Sequence, residues 1–283
     1  LFRSASDMGP TPPSGAPLQV NEHRAARLGI SDFLVPLGTL GTLAVNGLAN
    51  SVQIGGETTG SVSGAYPTLI TPAGYAFGIW GLIYLGLLAF SLHAMRPSIR
   101  SLPRWPLVRG LYLGSCLLNC LWIFVWHHRL MTLSSVVITA LLGSLLAIYR
   151  LLDADRIGAG TRERLLLLLP FSLYASWVTV ATVVNVAVSL TALGFSGGAP
   201  GPTAWAVGIL LVTAVLSVVT AIPRQDGAWL LVAAWAFGAI AVASDGDPWV
   251  RGTAAFLVIT MVSGAILAWM RRGRGRLRRR GGR

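Results

Sequence analysis

The 283-residue sequence predicts an all-α polytopic membrane protein, and three observations carry that reading. Hydrophobic residues make up 54% of the chain and charged residues 11%, with a mean hydropathy of +0.66, too little charge to cover a soluble domain of this length. Apolar runs recur along the chain, most of them long enough to cross about 30 Å of hydrocarbon. The basic residues are all arginine and sit in ends and loops, never inside an apolar run. The net charge of +12 therefore reads as orientation in a bilayer, with no nucleic-acid partner expected.

Taken in order, the chain opens with a Pro-, Gly- and Ser-rich stretch over residues 1–28 that lacks an apolar core. It is read as a disordered cytoplasmic lead-in, neither a signal peptide nor a span. Spans are expected at Phe33–Val52, Gly74–Met95, Leu107–His127, Met131–Leu152, Leu165–Leu190, Trp205–Ile222, Ala228–Ala243 and Thr253–Met270, the seventh being short. With the N-terminus inside, every arginine except Arg129 and Arg251 falls on the cytoplasmic side. This asymmetry predicts both termini in the cytoplasm and a cell-membrane location. The Arg-rich tail over residues 271–283 reads as a topology signal that also contacts anionic lipid.

Two outer connections stand out. Gln53–Ala73, rich in Gly, Ser and Thr, is either a lid over the helix mouths or a solvated loop. Thr191–Ala204, rich in Gly and Pro, marks a soft boundary between a five-span module at 29–190 and a three-span segment at 191–270. No span holds a buried Asp, Glu, Lys or Arg, which argues against an ion-coupled pump or a channel. Cys116 and Cys120, four apart in one apolar run, read as packing residues. His127 and His128 close the third span; neighbours on a helix point about 100° apart, so they read as a surface pair rather than as two ligands of one metal.

The second span is where the candidate site begins. Thr71 and Pro72 mark a helix start, and beyond them Phe77, Trp80 and Tyr84 fall at i, i+3 and i+7, three rings on one face. Asn119, Trp122 and Trp126 repeat the spacing on the third span, and Tyr174, Trp177, Ala181 and Asn185 extend it on the fifth. The alternating topology puts Trp80, Trp122 and Asn185 within about 7 to 12 Å of the outer ends of their spans, with Trp177 and Tyr84 deeper. Such faces either bind a flat ligand or pack helix on helix. Asn46 and Asn50 on the first span, with Asn119 and Asn185, should point into the bundle, bonding one another or a ligand. Gly74-x-x-x-Gly78 and Gly110-x-x-x-Gly114 suit close helix contact, within one chain or across a dimer.

Trp80-x-x-x-Tyr84 after a Pro-led start, Asn119-x-x-Trp122 and Trp177-x-x-x-Ala181-x-x-x-Asn185 resemble the TspO/MBR family over about residues 30–190. These are the tryptophan-rich sensory proteins related to the translocator protein or peripheral benzodiazepine receptor. The resemblance implies a five-helix bundle, commonly dimeric, with a pocket beneath the first loop for porphyrins, sterols or benzodiazepine-like drugs. Here three further spans follow the bundle. The first loop has tyrosines where the family typically has a tryptophan, and Thr191–Ala204 lacks the basic residue of the family's sterol-recognition segment, so porphyrin binding transfers more readily than sterol binding.

The resulting expectation is a homodimeric ligand-binding sensor or carrier for tetrapyrrole-like or other flat hydrophobic molecules. Its site residues would be Asn46, Asn50, Phe77, Trp80, Tyr84, Asn119, Trp122, Trp126, Tyr174, Trp177, Ala181 and Asn185. No resident cofactor or metal is expected, and a porphyrin or haem-type molecule enters as ligand. A secondary transporter and, as suggested for relatives, a tetrapyrrole-degrading enzyme are the alternatives, although no catalytic dyad is visible.

Overall fold

The computed structural model describes residues 29–53, 56–66, 68–154 and 160–281, and every regular element among them is helical. The lead-in over residues 1–28 lies outside the described residues, as does Arg156. A 3-10 turn, Ile30–Asp32, leads into α1 (Leu34–Leu48), which relaxes into a π-turn at Ala49–Gln53. The short helix α2 (Thr59–Gly64) follows, then α3 (Ile79–Ala94), α4 (Trp105–His127) and α5 (Met131–Ala154). The last four helices are α6 (Leu169–Ala192), α7 (Gly201–Ala221), α8 (Gly227–Ala243) and α9 (Pro248–Gly281).

Among the described residues, seven helical stretches are long and apolar enough to cross a membrane, and α8 is a shorter apolar helix beside them. Its 17 residues span about 26 Å. One end, capped by Asp226, meets Tyr149 at the end of α5; the other, at Ser244, donates to the Leu69 carbonyl on the opposite face. α8 therefore runs from face to face like the other spans. It is also among the most buried of them, with Trp229, Leu230, Ala233, Phe237 and Ala239 enclosed by its neighbours.

Two expectations about local structure need correction. Thr71 does not cap α3: its hydroxyl bonds the backbone N–H and hydroxyl of Thr68, closing a turn in the connection. The following residues stay extended, with Ala73 N–H donating to Ala239 O on α8, and the helix starts through a 3-10 turn at Gly74–Gly78. The residues at 71–73 thus have a backbone partner outside their own helix, which outweighs the local capping signal. The second correction concerns the Gly-x-x-x-Gly pairs. A Cβ on Gly74, Gly78, Gly110 or Gly114 would meet nothing within 4 Å, so none mediates close packing inside the chain.

Other small residues do that. A Cβ on Gly38 of α1 would lie 3.0 Å from Leu113 and 3.5 Å from Cys116 of α4, and one on Gly86 of α3 would lie 3.3 Å from Pro170 of α6. Cys116 and Cys120 are free thiols, Cys116 buried against α1. A π-turn at Arg164–Leu168 precedes Pro170, whose missing N–H and bulky ring oppose regular α geometry one turn earlier.

The charges sort onto two faces. On one, Asp32 pairs with Arg100 at 2.7 Å and approaches Arg109 at 3.8 Å, while Asp153 pairs with Arg224 at 3.2 Å. On the other stand Arg129 with Glu57 and Arg251 with Asp245.

Candidate functional site

The aromatic residues converge just beneath the connection between α1 and α3. Trp80 stacks on Tyr84 one turn away, with ring centroids 5.4 Å apart and planes 22° from parallel. It also meets Trp122 of α4 at 6.3 Å, and Trp177 and Tyr174 of α6 edge-on at 6.4 and 5.7 Å. Phe77 approaches Trp177 edge-on at 6.0 Å, and Trp126 stacks beside Trp122 at 5.8 Å. Trp177 thus stands level with Trp80 and Phe77 rather than deeper, while Tyr84 lies one turn below.

These rings enclose a cavity of about 30 Å³, bordered by Phe77, Trp80, Trp122, Trp126, Trp177, Ala181 and Asn185. Seven of the twelve residues read from the sequence therefore share one space. Ser63, Pro72, Val180 and Val184 complete it. Val180 and Val184 follow Trp177 at i+3 and i+7, so helical periodicity marks them as cavity residues. Ser63 carries no such signal, because only the path of the connection brings it there.

Four of the residues bordering this cavity each carry a buried polar atom with no hydrogen-bond partner among the described residues: Ser63 Oγ, Trp122 Nε1, Trp177 Nε1 and Asn185 Nδ2. The other end of the Asn185 amide is occupied, its Oδ1 accepting from Ser134 at 2.9 Å and Ser135 at 2.8 Å on α5. Those two bonds fix the amide so that its NH2 is the unused end. An unmet buried donor costs about 1 to 3 kcal/mol; His93, Trp105, Ser172 and Trp229 carry such atoms elsewhere, and what sets these four residues apart is that they border one space.

The remaining candidates form a second polar cluster. Asn46 Nδ2 donates to Asn119 Oδ1 at 2.6 Å, and Asn119 Nδ2 donates to Tyr174 Oη at 2.8 Å. Asn46 also donates to Thr42 O, one turn earlier on α1. Asn46, Asn119 and Tyr174 are thus bonded to one another across α1, α4 and α6. Together with Tyr84, they do not line the cavity.

Asn50 has a third role. It donates to Asn46 O, and its Oδ1 accepts from Thr59 N–H at the start of α2. Trp126 Nε1 donates to Thr59 O at 3.1 Å, and Thr59 Oγ1 lies 3.2 Å from His127 Nε2. His127 is therefore buried under α2, a correction to the surface pair, whereas His128 is exposed beside Phe124 O. α2 has its own start signal, Thr58 and Ser61 capping each other reciprocally. A Cβ on Gly60 would stand 3.4 Å from the Phe77 ring, so α2 lies directly over the aromatic cluster.

Among the described residues, apolar helices running from face to face, with an aromatic cavity under a short helical cover, define a multi-pass α-helical membrane protein. The chain belongs to the TSPO-like protein family, whose model matches residues 32–267. That range takes in the last three spans as well as the five in which the motifs lie. No curated protein and no solved structure matches the chain.

Proposed function

We propose that this protein binds a flat, largely apolar molecule carrying hydrogen-bond acceptors, of tetrapyrrole type, in the aromatic cavity beneath α2. The observation that carries the reading is the set of unpartnered polar atoms on Ser63, Trp122, Trp177 and Asn185 around one ring-lined space. The indoles offer stacking faces together with unpartnered N–H groups, which suits an aromatic ligand whose polar groups accept. No bond-making step is proposed.

At about 30 Å³ the cavity is roughly a tenth of the 300 Å³ at the lower end of small-molecule sites, so binding requires opening. The helix that must lift is α2, held over the rings by side-chain bonds from Asn50, Trp126 and His127. Ring-to-ring contacts are then exchanged for ring-to-ligand contacts.

Protoporphyrin IX should quench tryptophan emission saturably. Trp80→Ala or Trp122→Ala should weaken binding by about 1 to 3 kcal/mol, the range for a large aromatic contact in a desolvated site. Trp249→Ala, at an exposed ring on α9, should leave the titration unchanged. Linear, non-saturating quenching of the parent protein overturns the reading.

The asymmetric arginines support a topology with both termini cytoplasmic in the cell membrane, checked by reporter fusions at the C-terminus. Open space beside Gly110 and Gly114, with exposed Leu107, Leu117 and Leu121 on the same helix, supports a homodimer through α4. Cysteine crosslinking at Leu117 should capture it.

A further inference from the structure

A second, larger cavity of about 450 Å³ lies on the same side of the bundle, between the connection preceding α3, the end of α6 and the start of α7. We infer that it is a separate binding site for a neutral, flat, ring-bearing molecule with a hydrogen-bonding group. The inference stands independently of the aromatic site beneath α2, with which this cavity shares no lining residue.

Size is the first argument, since 450 Å³ falls within the roughly 300 to 1,000 Å³ of small-molecule sites. Chemistry is the second. Ile70, Phe195 and Trp205 supply apolar surface, Thr68, Thr191 and Ser196 supply hydroxyls, and no lining side chain is charged. A charged ligand would be desolvated there without a counter-charge, which is costly, whereas a neutral one needs only a hydroxyl partner for its hydrogen-bonding group. The Phe195 and Trp205 rings meet edge-on at 5.2 Å, yet remain 37% and 39% exposed. That leaves aromatic surface for a third ring to cover.

The walls are built rather than incidental. α6 ends with Phe195 N–H and Leu193 N–H both donating to Leu190 O, and Gly194 takes φ +86° to turn the chain. Gly197 has φ +99°, and a Cβ there would fall 2.7 Å from the Pro202 backbone, so only glycine fits. Opposite, Ser244 Oγ donates to Leu69 O, and Thr203 Oγ1 donates to Asp247, fixing the connection to α8 and α7 to the start of α9. The cavity therefore has its shape before any ligand arrives, which favours binding by reducing what must be ordered.

The test uses 1-azidoanthracene as a photolabel on the full-length protein in liposomes, with peptide mapping. Labelling should saturate within residues 195–209 and be displaced by 1-aminoanthracene but not by anthracene-9-carboxylate. Trp205→Ala should raise the half-saturating concentration at least fivefold, and Trp205→Phe should restore most of it. Because Trp205 is partly exposed, its truncation should leave the melting temperature near that of the parent, and Thr191→Val supplies a second, near-isosteric probe of the hydroxyl wall. Non-saturating label spread over lipid-facing helices, equal displacement by the carboxylate, or saturable labelling unaffected by Trp205→Ala would each overturn the site. So would labelling confined to peptides bearing Trp80, Trp122 or Trp177, which would move the probe to the aromatic cavity.

Discussion

The amide cluster of Asn46, Asn119 and Tyr174 and the indole cluster around Trp122, Trp177 and Asn185 share α4 and α6, one below the other, and are built on opposite terms. In the first, Asn46 donates to Asn119 and Asn119 donates to Tyr174, so the polar groups are used up among themselves. In the second, two indole N–H groups and an amide NH2 lie buried with no acceptor. In hydrocarbon, where water is not at hand, a closed polar cluster holds helices together and an open one costs stability. The contrast places the first in the fold and is the basis on which the second is proposed as a ligand site.

The largest effect is expected at the closed cluster. Asn119→Leu strips Asn46 and Tyr174 of a partner each, and should lower stability by about 2 to 3 kcal/mol in an SDS unfolding titration, while the intact variant binds protoporphyrin IX within about twofold of the parent. A loss below about 0.5 kcal/mol would remove the structural role of the cluster.

The open cluster should respond in the reverse sense. Trp122→Phe and Trp177→Phe keep a ring and delete an orphan N–H, so stability should hold or rise. Affinity for the porphyrin should fall by about 0.5 to 1.5 kcal/mol, the worth of one hydrogen bond. Destabilisation comparable to Asn119→Leu would show that these indoles have structural partners after all.

A smaller change is expected at the cover. Thr59→Val deletes the hydroxyl contact with His127 but leaves the backbone bonds to Trp126 and Asn50. Amide exchange across residues 59–64 should quicken by roughly fivefold, about 1 kcal/mol of local opening, with the core helices unchanged.

Smallest of all is the pH response of Asp247, which lies outside both clusters. The Thr203 hydroxyl, then the Val250 N–H, hold its carboxyl below the usual carboxylate range. A depressed folded-state pKa contributes stability above the unfolded value near pH 4, lost as pH falls through the folded one. Asp247→Asn should flatten that part of the acid melting profile and leave the neutral-pH porphyrin titration alone.

The sequence by itself determined the class of protein and its crossings. Hydrocarbon forbids unpaired backbone, so a long apolar run has little choice but helix, and all eight expected spans correspond to helices, the last of which continues eleven residues past its expected end. Periodicity also placed the aromatic faces, because side chains at i, i+3 and i+7 share one face whatever lies opposite. Tertiary structure alone decided which polar groups found partners. Asn119 and Asn185 look alike in sequence, yet one is bonded at both ends and the other at its carbonyl only. It also decided that Thr71 caps a turn, that His127 is covered, and that Ser63 reaches the cavity. The amide and His127 bonds join residues 50 or more positions apart, and the Thr71 turn and the place of Ser63 follow the path of a connection, neither of which leaves a period in the chain.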